Sequence, residues 1–442
     1  MNNSIGISEI IIVYELFNRE YDNALLLKAF FETKGFVVSI IYRYDLIDLP
    51  YSESPKIMFI PNCYNTQNME WYYHLANGRN YYLIDLQYEQ SLSNDKKNID
   101  FHLPKGKAAN IVHLCWGEQY RNILVEHGIN PENAYVSGAL HLDFLRPQFN
   151  TFWESRNRLA EEHKIDTNKK WNLYISSFSV ADNELSKVGV KLQLGNEYAE
   201  YFAEFSSKSR KKTIEWFRIA LKRDDDNIFI YRKHPAEVVN QDLRELSILY
   251  PDRFFLIDSY NIKQWIVVSD RILTWYSTSV VECYAAGKSF YILRPVRIKH
   301  QYDVQMYEGG HFVETMEEFG RILDSGDRKD YPINTELISN AYKLDGELAV
   351  NCVGRLVEVG FKYNYFEDKT RFKKTRKEIV NREHNRFKFI MKKVYKKLYC
   401  LGIFKIKSQR LRSRFAIDEW ERVLPEDEIR IKLNKLRDIL SD

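Results

Sequence analysis

Short apolar runs alternate with longer amphipathic stretches along most of the chain. The first of these runs are rich in β-branched and aromatic residues, which is typical of buried strands, and they lie at 8–14, 36–42, 56–60, 81–86, 110–115 and 134–136. Between the first two runs, Ala24, Leu25, Leu27 and Phe31 indicate a helix that ends at Gly35. A strand, a helix and a strand at this spacing form a βαβ unit, so the pattern predicts a parallel sheet.

A second series of the same kind follows a polar, helical stretch at 152–164. Its strand candidates lie at 171–176, 228–231, 254–257, 271–275 and 289–293, and its helix candidates at 208–221, 240–249, 262–268, 280–286 and 336–359. The last helix is expected to complete this half. Two successive Rossmann-like halves predict an α/β protein with the GT-B architecture, in which two Rossmann-like domains face each other across a cleft. The GxGxxG fingerprint of a dinucleotide-binding fold is missing.

The length of 442 residues exceeds one ordinary hydrophobic core. We therefore expect an N-terminal domain at 1–165, a C-terminal domain at 166–365 and a helical, basic extension at 366–442. Hydrophobic residues at 45% and charged residues at 29% are typical of a soluble globular protein. Neither a membrane-spanning run nor a secretory signal pattern is visible, and five scattered cysteines without metal spacing indicate reduced thiols in the cytosol.

Charge is distributed unevenly along the chain. The segment 371–414 carries 17 Lys or Arg residues against 2 Asp or Glu, whereas residues 1–370 carry 43 basic against 51 acidic ones. Within the basic segment, Phe387, Met391, Val394, Leu398 and Leu401 repeat at helical spacing, and lysines occupy much of the remaining surface. A basic amphipathic helix favours docking to an anionic membrane, although a helix packed back on the protein fits the pattern nearly as well. Nucleic acid is not expected as a partner because the rest of the chain is acidic.

Two polar segments lie where predicted strands of the second half end. Arg232-Lys233-His234-Pro235 closes one apolar run, and proline cannot continue a central strand, so these residues should lie at the strand-to-loop boundary. Ser277-Thr278-Ser279 follows the strand at 271–275 and precedes a short helix that Gly287 closes. Hydroxyl and N–H groups at such a point bind anions, and the basic residues would add donors. The two polar segments together predict a phosphate site, although a Ser/Thr cluster is more often only a helix cap.

Several further pieces, taken in their order and spacing, carry a resemblance to a known family. They are Glu15 with Arg19-Glu20, Leu86-Gln87-Tyr88-Glu89-Gln90, Cys115-Trp116-Gly117, Gly138 with Asp143 and Arg146-Pro147, His234-Pro235, and Ser279 with Glu282 and Gly287. Over residues 8–320 the chain resembles the bacterial surface-carbohydrate biosynthesis proteins of capsule and O-antigen (lipopolysaccharide) pathways, which are regarded as GT-B glycosyltransferases. The His-Pro and Ser/Thr pieces are also similar to those of bacterial sialyltransferases and Kdo transferases, where they hold CMP. Some relatives carry an acidic cluster followed by Gly at the Gln87–Gln90 position, and here only Glu89 keeps the carboxylate.

The resemblance implies transfer of a CMP-activated sugar, either Kdo or a nonulosonic acid, to a surface-polysaccharide or lipid-linked glycan acceptor, with inversion as the expected outcome. An inverting transfer needs a carboxylate base, for which Glu89 is the first candidate and Glu20 and Glu15 are competitors. Donor binding is then expected from Arg232, Lys233, His234, Ser277, Thr278, Ser279 and Glu282. Each carboxylate also has a structural alternative as a solvated or helix-terminal charge, and Arg232 as an ion-pair partner.

Neither a metal nor another cofactor is expected. Asp224-Asp225-Asp226 is similar to the DxD of other transferases, but it precedes a strand and therefore lies at the wrong edge of the sheet. Alternatives in the same fold are a nucleotide-sugar 2-epimerase and a CDP-glycerol-type phosphotransferase, and a capsule-assembly scaffold is the non-enzyme alternative. The expected location is the cytoplasm, at the inner face of the plasma membrane.

Overall fold

The computed structural model of the chain describes residues 9–43, 45–46, 56–75, 81–90, 100, 102–223, 225–325, 331–362, 391, 394, 398 and 424–441. Contacts divide the chain into two compact units. The first consists of Met1–Gln90, His102–Asp143 and Ala341–Asp442, and the second of Ser91–Phe101 and Phe144–Asn340. Each unit contains one parallel sheet with helices, which confirms the predicted α/β class.

The first unit is built on a six-stranded sheet in the order β2-β1-β3-β4-β5-β6. Its strands are β1 (Ile10–Tyr14), β2 (Val38–Tyr42), β3 (Lys56–Ile60), β4 (Tyr81–Asp85), β5 (Val112–Cys115) and β6 (Ala134–Val136), and all described pairs are parallel. The helices of this part are α1 (Phe17–Thr33), α2 (Thr66–Leu75), α3 (Glu118–Glu126) and α4 (Leu140–Asp143). Strands β1 and β4 are buried along their whole length, as their apolar sequences predict.

The second unit has a five-stranded parallel sheet in the order β11-β10-β7-β8-β9. Its strands are β7 (Lys170–Ile175), β8 (Asn227–Arg232), β9 (Phe254–Ile257), β10 (Arg271–Thr274) and β11 (Phe290–Ile292). Its helices are α5 (Arg156–His163), α6 (Glu184–Leu194), α7 (Asn196–Arg223), α8 (Gln241–Leu249), α9 (Ile262–Val268), α10 (Val280–Ala285), α11 (Met316–Asp324) and α12 (Thr335–Ala341). The side chains of β7, β8 and β10 pack with the inner face of α7 in one aromatic-rich core.

The predicted single helix at 336–359 is wrong, because the chain breaks after α12 and continues as α13 (Ala349–Lys362). Helix α13 packs against α1 and therefore belongs to the first unit, so the expected boundaries at 165 and 365 differ from the observed division at 143 and 340. The chain thus returns to the first unit at α13, and Asp143 holds it there. The two carboxylate oxygens of Asp143 each accept a backbone N–H, from Ala349 and Val350, at 2.9 Å. Gly354 allows the close approach, since a Cβ there would lie 2.3 Å from the Phe30 ring.

A last helix, α14 (Glu426–Ser441), also packs against α1. Leu433 and Leu436 are buried in this contact, Lys432 pairs with Asp22 at 2.9 Å, and Arg437 pairs with Glu32 at 2.7 Å on α1. The expected basic helix at 371–414 lies almost entirely outside the described residues. Met391, Val394 and Leu398 are helical there, as predicted. Among the described helices, none combines the length and the apolar character that a membrane crossing requires.

The capping role of Asp143 leads to a stability prediction. Asp143→Ala removes a charged acceptor from two buried N–H groups and should lower the local opening free energy of α13 by about 2 kcal/mol. Hydrogen exchange of the α13 amides measures this change. Asp166→Ala is the matched control, because that exposed carboxylate accepts only the N–H of Asn168 within a local turn. Equal α13 exchange in both variants and the wild type would contradict the role.

Candidate functional site

Polar side chains gather at the carboxyl ends of β1 and β4 in the first unit. Arg19, in the first turn of α1, joins two of the predicted carboxylates. Its Nε and Nη2 donate to Glu20 Oε1 at 3.1 and 2.7 Å, and its Nη1 donates to Glu89 Oε1 at 2.9 Å. Glu89 is thus brought to a guanidinium that lies 70 positions earlier in the chain. Because two guanidinium N–H groups converge on one oxygen of Glu20, this link has a defined orientation.

Glu20 is wholly buried and holds the start of α1. Its Oε2 accepts the backbone N–H groups of Glu15 at 2.6 Å and Leu16 at 3.2 Å, while Oε1 takes Arg19. Burial raises the pKa of Glu20, and Arg19 and the two backbone donors oppose this rise. With both oxygens occupied inside the protein, this carboxylate supports structure around the site more readily than proton transfer to a substrate.

Glu89 is the most exposed of the three carboxylates, with a side chain 40% accessible. Its Oε2 lies 3.2 Å from Nε2 of His102 and 3.4 Å from the hydroxyl of Tyr64, which donates to it. The contact with His102, followed by the charge of Arg19, lowers the pKa of Glu89 to about 2. A carboxylate with so low a pKa is ionised at neutral pH but is a weak proton acceptor. It is well suited to orient the imidazole of His102.

Glu15 makes a different set of contacts. Its carboxylate forms an ion pair with Arg43 and accepts the side-chain amide of Asn62 at 3.2 Å. The guanidinium of Arg43 in turn lies over the ring of Trp71, with 4.6 Å between its carbon and the ring centroid. Glu15 is therefore tied to the β2–β3 side of the sheet edge, whereas Glu20 and Glu89 share Arg19.

The turn that carries Glu89 is rigidly built. Gln87 has a φ of 48°, in the left-handed region, and its N–H donates to Asp85 Oδ1 at 2.9 Å. Its side chain is buried and donates to the hydroxyl of Tyr120 at 2.7 Å. Gln90 donates to the carbonyl of Leu114 at 2.9 Å and accepts the N–H of Trp116 at 2.9 Å. The two glutamines of the Gln-Tyr-Glu-Gln segment are thus structural, and they present Glu89 between them.

Other residues of the quoted resemblance also have structural roles. Asp143 caps α13, and Gly138, with a φ of 85°, lies where a Cβ would approach that of Ala349 to 3.3 Å. Trp116 stacks on Tyr342, with ring centroids 5.4 Å apart. These positions fasten the returning chain to the first unit.

In the second unit, the carboxyl ends of the adjacent strands β10, β7 and β8 meet at one sheet edge. The predicted Ser277–Ser279 segment follows β10, and the predicted Lys233 and His234 follow β8. The central strand β7 adds Ser176 and Ser177, which sequence reasoning missed. The Ser177 hydroxyl is buried without a hydrogen-bond partner among the described residues, which is unusual for a polar atom and typical of a ligand or water position.

Glu237, another residue missed from the sequence, organises this edge. It is buried and accepts the hydroxyls of Ser176 at 2.5 Å and Tyr231 at 2.7 Å, as well as the backbone N–H of His234 at 3.1 Å. The only available signal was its place three residues after His234, within a loop where a carboxylate can fold back on the preceding N–H groups.

The ring of His234 has a defined tautomer. Its Nδ1 accepts the backbone N–H of Ala236 at 3.1 Å, so the neutral ring carries its proton on Nε2. Burial, and then the nearby charge of Lys233, lower the pKa of His234, which favours this neutral form at physiological pH. The expected cationic donor is therefore a neutral donor whose Nε2–H can serve a ligand oxygen.

Arg232 was predicted to bind the donor, but its guanidinium contacts a loop of the protein. Its Nη1 donates to the carbonyl of Ser259 at 3.1 Å and its Nη2 to that of Tyr260 at 2.8 Å. Burial lowers the pKa of Arg232 to about 10. Through these carbonyls the guanidinium holds the loop after β9, whereas the structural alternative from the sequence was an ion pair. Lys233 is only partly buried, beside His234.

The Ser277–Ser279 turn is not a simple helix cap. Ser279 precedes α10, but its side chain makes no capping hydrogen bond, and the Oγ of Ser277 accepts the Ser279 N–H at 3.2 Å instead. Thr278 is exposed, and its hydroxyl and that of Ser279 make no described hydrogen bond within the protein. Both hydroxyls are thus available to an external oxygen.

Glu282 lies in the first turn of α10. Burial raises the pKa of its carboxyl, while the ammonium of Lys263 on α9, itself 5% exposed, opposes the rise. As predicted, Gly287 follows the end of this helix, with a φ of 62° that a glycine adopts without strain.

Metal ligation finds little support in the described part of the chain. No group of three or more His, Cys, Asp or Glu residues there could hold an ion. Asp225 instead pairs with Arg253 at 3.0 Å, at the start of β8. The expectation that no metal or other cofactor is needed stays a prediction.

Neither a protein-family profile nor a curated protein sequence matches the chain. Solved structures do match. A putative UDP-N-acetylglucosamine 2-epimerase from Listeria monocytogenes has a TM-score of 0.50 and 13% identity, over 80% of this chain and 96% of that one. The wall teichoic acid polymerase TagF has a TM-score of 0.49 and 13% identity, over 81% and 90%. MnaA of S. aureus, solved with UDP, has 0.48 and 12%, over 82% and 99%. At such identities the likeness concerns the fold alone, and this chain has the two-domain α/β fold of the GT-B type.

Proposed function

We propose that this protein is an enzyme that binds a nucleotide-activated donor in its second unit and transfers a glycosyl group to a surface-polysaccharide acceptor. The observation that carries the proposal is the set of unused donors at the carboxyl ends of β10, β7 and β8. They comprise the hydroxyls of Thr278 and Ser279, the buried hydroxyl of Ser177 and the Nε2–H of His234. Ligands of parallel α/β sheets bind at this edge. The name of the Listeria protein refers to a nucleotide sugar, which supports the same ligand class.

Within this proposal the phosphate is held by hydrogen bonds more than by fixed cations. His234 donates from Nε2 as a neutral ring, Ser277–Ser279 supplies hydroxyls, and Lys233 adds the one positive charge of the set. Donors of this kind stabilise the charge that develops on the departing phosphate without requiring proton transfer. Glu282 is proposed to accept ribose hydroxyls, and Arg232 to hold the adjacent loop.

In the first unit we assign the base differently from the sequence expectation. Glu89 and His102 form a carboxylate–imidazole pair in which the Glu89 carboxylate lies 3.2 Å from Nε2 of His102 and orients the ring. His102 is then the proton acceptor for the acceptor hydroxyl, and Glu89 and Glu20 are positioning residues joined by Arg19. Glu15 remains a weaker candidate because it is paired with Arg43.

Two rival activities share this fold. A 2-epimerase would act on a UDP-sugar without an acceptor, and a CDP-glycerol-type phosphotransferase would release CMP and require an acceptor hydroxyl. The nucleotide that stabilises the protein separates a UDP-sugar epimerase from the two cytidine-nucleotide activities. Turnover with each donor then separates CMP-activated Kdo or nonulosonic acid, implied by the resemblance, from CDP-glycerol, since both reactions release CMP. A scaffold would be stabilised by none of them and would release no nucleotide.

The first test measures nucleotide binding. A thermal-shift screen with CMP, CDP, UDP and GDP should identify one that stabilises the protein. Two variants then separate the roles of the His234 nitrogens, because Asn retains an acceptor near Nδ1 and Gln a donor near Nε2. We expect His234→Asn to weaken binding roughly 10-fold or more and His234→Gln to weaken it less. The opposite order would mean that His234 only holds the Ala236 turn.

The second test concerns the base. His102→Gln should lower turnover by about 10²-fold or more, with nucleotide affinity unchanged, because general-base loss has that scale. Glu89→Gln should have a smaller effect, since it removes only the orienting partner. A loss of that size in Glu89→Gln with near-normal turnover in His102→Gln would return the role of base to Glu89.

We further propose that the basic segment docks to an anionic membrane surface. Lys392, Lys393, Lys396 and Lys397 lie outside the described residues, and their charges alone motivate the proposal. Each basic residue near such a surface contributes roughly 1 kcal/mol, so four contribute about 4 kcal/mol, and salt weakens the effect.

Substitution tests this proposal better than truncation, because removing the segment would also remove α14 from α1. Replacing the four lysines with glutamine should abolish sedimentation with anionic liposomes at low salt. The matched control replaces Lys208, Lys211, Lys212 and Lys222, which are exposed on α7, and should sediment like the wild type. If the wild type itself ignores anionic liposomes, the segment has another partner, within the protein or in an oligomer.

A further inference from the structure

A tyrosine from the loop after β11 makes two hydrogen bonds with the backbone of Ser277. The Tyr307 hydroxyl accepts the N–H of Ser277 at 3.0 Å and donates to the carbonyl of the same residue at 2.7 Å. Tyr307 is 2% exposed and cannot itself be a surface contact for a ligand. One phenol thus fixes both polar groups of a single residue in the proposed phosphate-binding turn.

Tyr307 is held by Arg294, at the carboxyl end of β11. The guanidinium carbon lies 5.3 Å from the ring centroid of Tyr307, 5.5 Å from that of Tyr276 and 5.0 Å from that of Phe312. Its Nη2 donates to Asp303 at 2.8 Å. Nε and Nη1 are buried without a hydrogen-bond partner among the described residues, so aromatic faces surround these donors. A cation enclosed in this way leaves the rings around it little freedom to move.

The preceding residue is tied to the same loop. The Tyr276 hydroxyl donates to the carbonyl of Tyr302 at 2.9 Å. Tyr276 and Ser277 are therefore both fastened to residues 302–307, one through its side chain and one through its backbone. The order of the turn depends on a segment about thirty positions further along the chain.

Hydrogen bonds run from Tyr307 through Ser277 to the backbone N–H of Ser279, next to the unused hydroxyls. Tyr307 sets the orientation of Ser277, and the Oγ of Ser277 accepts the N–H of Ser279. Ser279 has no side-chain capping bond of its own that would hold it in place. The directions of the Thr278 and Ser279 hydroxyls therefore depend on the peptide that Tyr307 holds.

From this arrangement we infer that Tyr307 is a positioning residue for the phosphate of the nucleotide donor. It acts through Ser277 and does not touch the ligand, and Arg294 keeps its ring in place. The inference rests on the proposed function of the Ser277–Ser279 turn, and it extends the binding machinery to a loop that no sequence pattern marked.

Tyr307→Phe removes the hydroxyl and keeps the ring against Arg294. Using the nucleotide found in the thermal-shift screen, we expect affinity to fall roughly 10-fold, because two hydrogen bonds to the turn are lost. Hydrogen exchange at the Ser277 amide should become faster in the absence of nucleotide. The control is Tyr250→Phe, in the same unit but just before β9 and so at the opposite sheet edge, which should change neither quantity.

A double-mutant cycle distinguishes positioning from general stability. If Tyr307 acts through the turn, Tyr307→Phe should cost much less affinity in a Ser279→Ala background than in the wild type. Full additivity, or a lowered melting temperature with unchanged affinity, would make Tyr307 a purely structural residue and overturn the inference. Wild-type protein that binds none of the four nucleotides would instead refute the proposed function, while faster Ser277 exchange in Tyr307→Phe would still confirm the grip on the turn.

Discussion

Within each unit, buried carboxylates that accept backbone N–H groups hold the turns in which strands end. A parallel sheet leaves the turns after its strands with polar groups that must be satisfied inside the protein. Glu20 takes those of Glu15 and Leu16 after β1, and Asp85 takes that of Gln87 after β4. Glu237 takes that of His234 after β8. A carboxylate can accept several such bonds at once, so each one determines the path of a whole turn.

Polar residues at these strand ends fall into two groups. Some are buried and stabilise the turns, and others have accessible side chains. Glu20 is buried and directs Arg19, which reaches Glu89 and leaves its carboxylate beside His102. The low pKa of Glu89 means that the carboxylate favours the folded state above its ordinary pKa and loses that effect as the pH falls toward 2. Because the side chain is well exposed, solvent reduces the gain. Its charge is therefore more important for orienting His102 than for stability.

Local patterns predicted the sheets well because buried parallel strands are short, apolar and β-branched. The strands at 56–60, 134–136 and 254–257 have the predicted bounds. Strand ends also located His234 and Ser277–Ser279 at one edge. What the sequence could not reveal is the direction of each side chain, which separates the buried Glu20 from the accessible Glu89 and turns Arg232 toward two carbonyls.

Contacts between residues far apart in sequence could not be predicted from the hydrophobic pattern, for a different reason. His102 and Glu237 show no periodic signal, and they become meaningful only through Glu89 and His234. The helix at 336–359 was wrong because its second part leaves one unit for the other, which depends on a cap from Asp143 more than two hundred positions away. The apolar pattern of a helix does not show against which of the two hydrophobic cores the helix packs.

The return of the chain to the first unit also constrains the basic segment. Helix α13 precedes that segment and α14 follows it, and both pack against α1. The first turn of α1 holds Arg19 and Glu20, while Asp22 one turn further on pairs with Lys432 of α14. Whatever binds the basic segment is thus linked through the chain to the unit that contains Glu89 and His102, and whose helix α1 contacts Glu89 through Arg19. In the proposed reaction, an anionic partner of the segment is therefore linked through the chain to the unit of the proposed base, while the proposed phosphate-binding turn belongs to the other unit.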